Sequence, residues 1–278
     1  MCIRDRYDIV QVVPFEDYTV YVYFEDGKIV CYDAKPLLDK KVFEPLRDKD
    51  FFLNSCTILN GTLAWDVTGT RDTSKCLDID PDTLYELENV KDKIMFELRS
   101  VKSQREYLGI LANQTVGDMV KLYYVPSGET GRAFITKKVV EEWGMSVEKL
   151  DSVAVYNTAK QKPYRNYEGT LGSRIITNSD FKNGAGAIFY PEVMDKIAED
   201  LGEPFYIIPA SVDEAFVFAQ GAFKNDGVKA LAFAVRRANE EVIPSELRLS
   251  DKVYEYDKDT KKIIEAAGLS SRTKECER

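Results

Sequence analysis

The stretch "YTVYVYFEDGKIVCYD", residues 18–33, constrains the fold more than any other part of this chain. β-Branched and aromatic residues crowd both sides of Asp26-Gly27. An Asp-Gly pair supplies the positive φ that a tight hairpin turn needs, so Tyr18–Phe24 and Lys28–Asp33 are predicted as antiparallel strands. Successive side chains on a strand face opposite ways. Tyr18, Val20, Val22 and Phe24 therefore share one face, and Thr19, Tyr21 and Tyr23 share the other. Both faces are apolar enough for one to pack on a helix and the other on a second domain. "IVQVVP" (Ile9–Pro14) reads as a further strand just before it.

The following residues extend this small module to Asn89. Leu37, Leu38, Phe43, Leu46, Phe51 and Phe52 predict two short helices over the sheet. "CTILNGTLAWD" (Cys56–Asp66) predicts a second hairpin turning at Asn60-Gly61, with Trp65 in the core. Asp80 is a natural N-cap, with Pro81 at the first helical position. Asp78, Asp80 and Asp82 alternate as calcium ligands can, but no glycine turn and no later bidentate Glu completes a calcium loop. With "LNGTLAWD" and "LDIDPDTLYE", the hairpin region resembles a small bacterial family, domain of unknown function 2442. The resemblance covers nearly all of residues 7–88. It implies a compact α+β module that binds rather than catalyses, because some relatives are regarded as antitoxin-like. "VTGTRDTSKC" (Val67–Cys76) departs from the family pattern and is expected to be a flexible loop.

Residues 90–268 read as a larger mixed domain. Val90–Thr115 has apolar residues near helical spacing and is expected to join the two halves. "DMVKLYYVP" and "RAFIT" predict a hairpin, and "KKVVEEW" and "SVEKLDSVAVYNT" two helices, the second capped by Ser146. "AKQKPYRNYEGTLGS" is polar, punctuated by Gly and Pro, and reads as a linking loop. "RIITN" and "GAIFY" are expected to be strands around "SDFKNGAG". A helix from Pro191 to Gly202, a buried strand "PFYIIPAS", a helix "VKALAFAVRRANEEVI" and a final hairpin around Asp259 complete the domain, before a tail, 269–278, expected to be disordered. "EEWGMSVEKLDSVAVYNT", "ITNSDFKNGAGAIFYPEVMDKIAEDLG", "FYIIPASVDEAFVF" and "AVRRANEEVIPSELRLSDKVYEYDKDT" occur in the order seen in a second family, domain of unknown function 5688, which this half resembles. The resemblance carries no activity. Its relatives show Pro-Ser-Ser-x-His-Glu where this chain has Pro209-Ala210-Ser211-Val212-Asp213-Glu214. Ala210 and Asp213 thus stand at the usual Ser and His places.

Composition bounds the chemistry. None of the 278 residues is histidine, which excludes Ser-His-Asp and Cys-His catalysis, HExxH metal sites and imidazole acid–base work. The five cysteines are scattered, with no CxxC pair, as befits reduced thiols in the cytoplasm. No apolar run reaches membrane-spanning length. The net charge is −9, and residues 1–90 hold most of it, with 10 Lys and Arg against 18 Asp and Glu. No basic stripe suggests nucleic acid, whereas the acidic module suits a basic protein partner. "MCIRDR" (Met1–Arg6) back-translates into a sequencing-library transposon end and is read as adaptor sequence on a truncated metagenomic gene.

Together these readings predict an α+β protein, a small N-terminal sheet-and-helix module followed by a larger mixed domain. The leading functional expectation is a protein-interaction or regulatory, antitoxin-like module with no cofactor. The alternative is a carboxylate-based or metal-dependent hydrolase centred on Ser211, Asp213 and Glu214, with Lys182 in support. These residues follow a buried strand, where α/β active sites often lie. Equally, Ser211 and Asp213 can simply satisfy loop backbone groups. "KNGAGA" lacks the helix start and spacing of a phosphate loop and reads as a turn allowing close backbone approach. Gly128–Arg132 reads as a hairpin turn.

Overall fold

The structure, a computed structural model, describes residues 7–128, 131–223 and 227–266. The expectations for residues 1–6, for the 269–278 tail and for the tip of the Gly128–Arg132 turn fall outside the described residues. The fold class is α+β. Strands β1 (Ile9–Pro14), β2 (Thr19–Phe24) and β3 (Ile29–Asp33) form one meander, followed by helix α1 (Lys49–Ser55). Strands β4 (Cys56–Leu59), β5 (Thr62–Trp65) and β6 (Leu77–Ile79) form a second meander, closed by α2 (Pro81–Tyr85). Then come β7 (Met95–Ser100), α3 (Val101–Gln104), β8 (Asn113–Val116), β9 (Met119–Ser127), β10 (Gly131–Phe134), α4 (Lys137–Glu142) and α5 (Val147–Gln161). The chain continues through β11 (Tyr164–Glu168), β12 (Arg174–Asn178), α6 (Val193–Leu201), β13 (Phe205–Ile208), β14 (Ala215–Ala219), α7 (Gly227–Glu241), β15 (Tyr254–Asp257) and β16 (Lys262–Glu265).

The chain divides into two compact units that do not follow chain order. Among the described residues, one comprises 7–94 and 124–150, the other 95–123 and 151–266. In the first unit the two faces of β2 are both covered. Val20, Val22 and Phe24 pack with Leu37, Leu46, Phe52, Leu63 and Trp65 in one apolar core. Burying each such large side chain is worth about 2 kcal/mol. Trp65 Nε1 donates to Phe52 O at 3.0 Å, so the indole is buried without an orphan donor. The opposite face meets the returning segment 124–150. Tyr21 Oη donates to Pro126 O, Tyr23 Oη donates to Ala133 O, and the Tyr23 ring stacks on Trp143. Gln11 ties β1 to the same segment: its amide donates to Phe134 O, and its carbonyl accepts from the Thr136 hydroxyl at 2.6 Å. Residues 67–76 wrap the Asp66 carboxylate, which accepts from the backbone N–H of Thr68, Gly69 and Arg71. Asp80 caps α2 through the Asp82 N–H, as its sequence position predicts.

The second unit is built on an antiparallel sheet of six strands in the order β11-β12-β14-β13-β15-β16. Three sequence expectations need correction here. Val90–Thr115 is not a helix but β7, a single helical turn and β8. Met95, Phe96, Glu97 and Leu98 are all buried, and a strand covered on both faces loses the two-residue alternation that would identify it. "GAIFY" is not a strand: Gly184–Phe189 is a 3-10 segment buried from Gly184 to Ile188. The "linking loop" contains β11, a strand at the end of the sheet, where half-exposed polar residues leave no hydrophobic pattern. Among the described residues no helix is long and apolar enough to cross a membrane.

Candidate functional site

Ser211, Asp213 and Glu214 lie in the connection between β13 and β14. Val212 is buried and anchors the segment: its N–H donates to Leu247 O, and its carbonyl accepts from Ala185 N–H. This anchoring sets Ser211 and Asp213 on either side of a fixed point. Ser211 Oγ accepts from the N–H groups of Asp213 and Glu214, at 3.1 and 3.3 Å, closing its own turn. Asp213 Oδ1 accepts from Asn183 N–H at 2.8 Å, and Asp213 O accepts from the Thr177 hydroxyl at 2.7 Å. Both side chains therefore satisfy loop backbone, and Asp213 in particular holds the 179–183 loop against β12.

Two groups that the sequence did not single out complete this arrangement. Arg99 grips Glu97 through two nitrogens, at 3.0 and 3.1 Å, and donates a third bond to Asn183 Oδ1 at 2.6 Å. The Glu97 side chain is only 4% exposed, so the pair is largely withdrawn from water. The loop is fixed from three directions: by Asp213, by Arg99, and by Asn178, whose side chain bonds Lys182 O and Asp180 N–H. Lys182 is exposed, and it is its backbone carbonyl that the loop uses.

Glu214 differs from its neighbours. Burial first, and then the Asp213 carboxylate, raise its carboxyl above the ordinary range. A pKa raised in the folded state contributes stability below the unfolded value and loses it as pH rises through the folded value. Glu214→Gln is therefore expected to hold its stability at neutral pH and to remove part of the loss seen on raising pH from about 4 to 7. Denaturant titrations of both proteins across that range measure it.

A second polar group lines a cleft of about 800 Å³ in the same unit. Lys121 and Asp151 line it, together with Phe189, Tyr190, Met194 and Tyr256. Lys121 Nζ bonds both Asp151 oxygens, at 3.0 and 2.9 Å, and sits over the Phe189 ring at 4.4 Å. Tyr123 Oη donates to Asp151 Oδ1 at 3.0 Å. Burial lowers the Lys121 pKa, and Asp151 opposes that shift. The volume of the cleft falls in the range of small-molecule pockets, but its lining is as polar as it is apolar, and the ion pair within that lining is internally neutral. Neither Ser211, Asp213 nor Glu214 lines it. No local pattern marks this cluster, because its two charges stand 30 residues apart on different elements. Among the described residues no group of three or more Cys, Asp or Glu is placed to hold a metal ion, and Cys31, Cys56 and Cys76 are free thiols.

A family model described as a family of unknown function (DUF5688) matches residues 60–168 and 174–258. A second, described as a protein of unknown function (DUF2442), matches residues 9–89. No curated protein and no solved structure matches the chain.

Proposed function

The chain belongs to the family of unknown function DUF5688, and we propose that it acts by binding another protein, in a regulatory role, rather than by catalysis. One observation carries this reading: the side chains best placed for chemistry in the 211–214 segment, Ser211 and Asp213, are spent on backbone N–H groups that shape a loop. A nucleophile or base must instead face its substrate. The partner is a basic protein that meets the acidic N-terminal module, whose excess of carboxylates steers a positive surface. Tagged protein is expected to retain a basic partner in stoichiometric amount and to release it at high salt. Charge reversal at the exposed Asp39, Glu44 and Asp50 is expected to release it as well. A partner indifferent to both salt and charge reversal would overturn the reading.

The hydrolase alternative has one observation in its favour, the raised carboxyl of Glu214 beside Asp213, which is what a general acid requires. It predicts turnover in a screen of ester, phosphoester and glycoside substrates that Asp213→Asn and Glu214→Gln both abolish.

A further inference from the structure

We propose that the outer edge of β11 is a homodimer interface, at which β11 pairs antiparallel with β11 of a second copy about a two-fold axis at Asn166. This goes beyond the binding reading above and uses a different unit of the chain. β11 ends the six-stranded sheet, paired on one side with β12. Its phase is fixed by Gly169, whose N–H donates to Ser173 O at 2.8 Å. Residues 165, 167 and 169 thus turn their amides toward β12. Tyr164, Asn166 and Glu168 direct N–H and C=O outward, an open template for another strand. The opposite end of the sheet, β16, is one residue shorter.

The side chains of β11 are self-complementary in one register. With Asn166 facing Asn166 of the second copy, Arg165 falls opposite Tyr167 of the second copy in a non-hydrogen-bonded pair. Side chains approach most closely in such pairs. Arg165 is exposed, and Tyr167, 41% exposed, stacks on Phe181, 58% exposed, at 5.9 Å. Each guanidinium then covers an aromatic pair of the other copy, a cation–π contact made twice by symmetry. Phe181 is held at φ 57, which a bulky residue rarely adopts. The loop bonds of Asn178, Arg99 and Asp213 maintain that conformation and keep the ring beside Tyr167.

Sedimentation of the full chain over a concentration series tests the interface. The wild type is expected to be a concentration-dependent dimer. Asn166→Pro deletes an outward N–H without touching the bonds to β12 and is expected to give a monomer with an unchanged circular dichroism spectrum. Arg165→Glu is expected to weaken dimerisation about tenfold. Asn166→Cys reads the register directly: across the axis the two Cα atoms stand about 5.5 Å apart, within disulfide reach, so oxidation is expected to give a covalent dimer that the wild type does not form. A wild type that stays monomeric overturns the proposal. So does a dimer that survives both Asn166→Pro and Arg165→Glu, or one that Asn166→Cys fails to cross-link. None of these outcomes bears on the basic partner, whose capture is read through salt and the acidic residues of the other unit.

Discussion

Gly184→Ala is expected to be the most damaging single-methyl change in the second unit, costing about 3 kcal/mol in a denaturant titration. A Cβ at this position would lie 2.1 Å from Thr177 Oγ1, 2.6 Å from Asp213 O and 2.7 Å from Asn178 N. Two of these atoms are backbone, so no rotamer change relieves the clash. The strands must part, and the Thr177–Asp213 hydrogen bond that joins β12 to the 211–214 segment is lost with them. Removing the Thr177 hydroxyl in the same protein should recover only a fraction of the loss, because the two backbone contacts remain. Gly109→Ala is the matched control: nothing lies within 4 Å of its Cβ position and its φ is not left-handed, so its stability should be unchanged. Equal losses at Gly184 and Gly109 would refute the close-approach argument.

The second large effect is expected at Asp151. Its partner Lys121 has a side chain only 6% exposed, and Asp151 itself is 17% exposed. Asp151→Ala leaves an ammonium group buried against Phe189 with Gln114 Oε1, at 3.4 Å, as an acceptor, and removes the acceptor of Tyr123 Oη. Orphaning one member of a buried ion pair costs about 3–5 kcal/mol. The charge is the cause, so replacing both residues together, Lys121→Met with Asp151→Leu, should cost much less than Asp151→Ala alone. The single variant should also regain stability at high pH. Without Asp151 the Lys121 pKa is depressed further, and a depressed folded pKa means stability is present above the unfolded value, about 10.4, and lost as pH falls through the folded one. A double variant as unstable as the single, with no recovery at alkaline pH, would show that packing rather than charge dominates the site.

How much of this was legible in the sequence depended on local signals. The β2–β3 hairpin declared itself through Asp26-Gly27 and its two apolar faces, and the structure covers both faces as those patterns require. Asp80 and Ser146 announced helix starts through capping chemistry, which is local. What failed was local pattern without local cause. β7 is buried on both faces and lost its alternation. β11 lies at a sheet edge and never had one. Gly184–Phe189 is shaped by what it packs against, Phe96 and Asp213, which are distant in sequence. In the candidate site, Ser211 and Asp213 were legible as polar groups at a strand end, and the reading that they satisfy loop backbone was available from residue type alone. Arg99, Glu97 and Asn183 were not, because they acquire meaning only when a strand and a loop 84 residues apart meet.

The discontinuity of the first unit has a consequence for how the protein is made. Tyr21 and Tyr23 leave the ribosome well before their covering partners, Pro126, Ala133 and Trp143, which emerge more than 100 residues later. At roughly 5–20 residues per second, the nascent N-terminal module waits several seconds with one aromatic face open. During that interval it is a substrate for chaperones and a nucleus for misassembly, and a ribosome that stalls before residue 150 releases a sticky fragment rather than a finished module. A graft or truncation that respects the family boundary near residue 89 would make this vulnerable intermediate permanent, whereas one that carries residues 124–150 along would not.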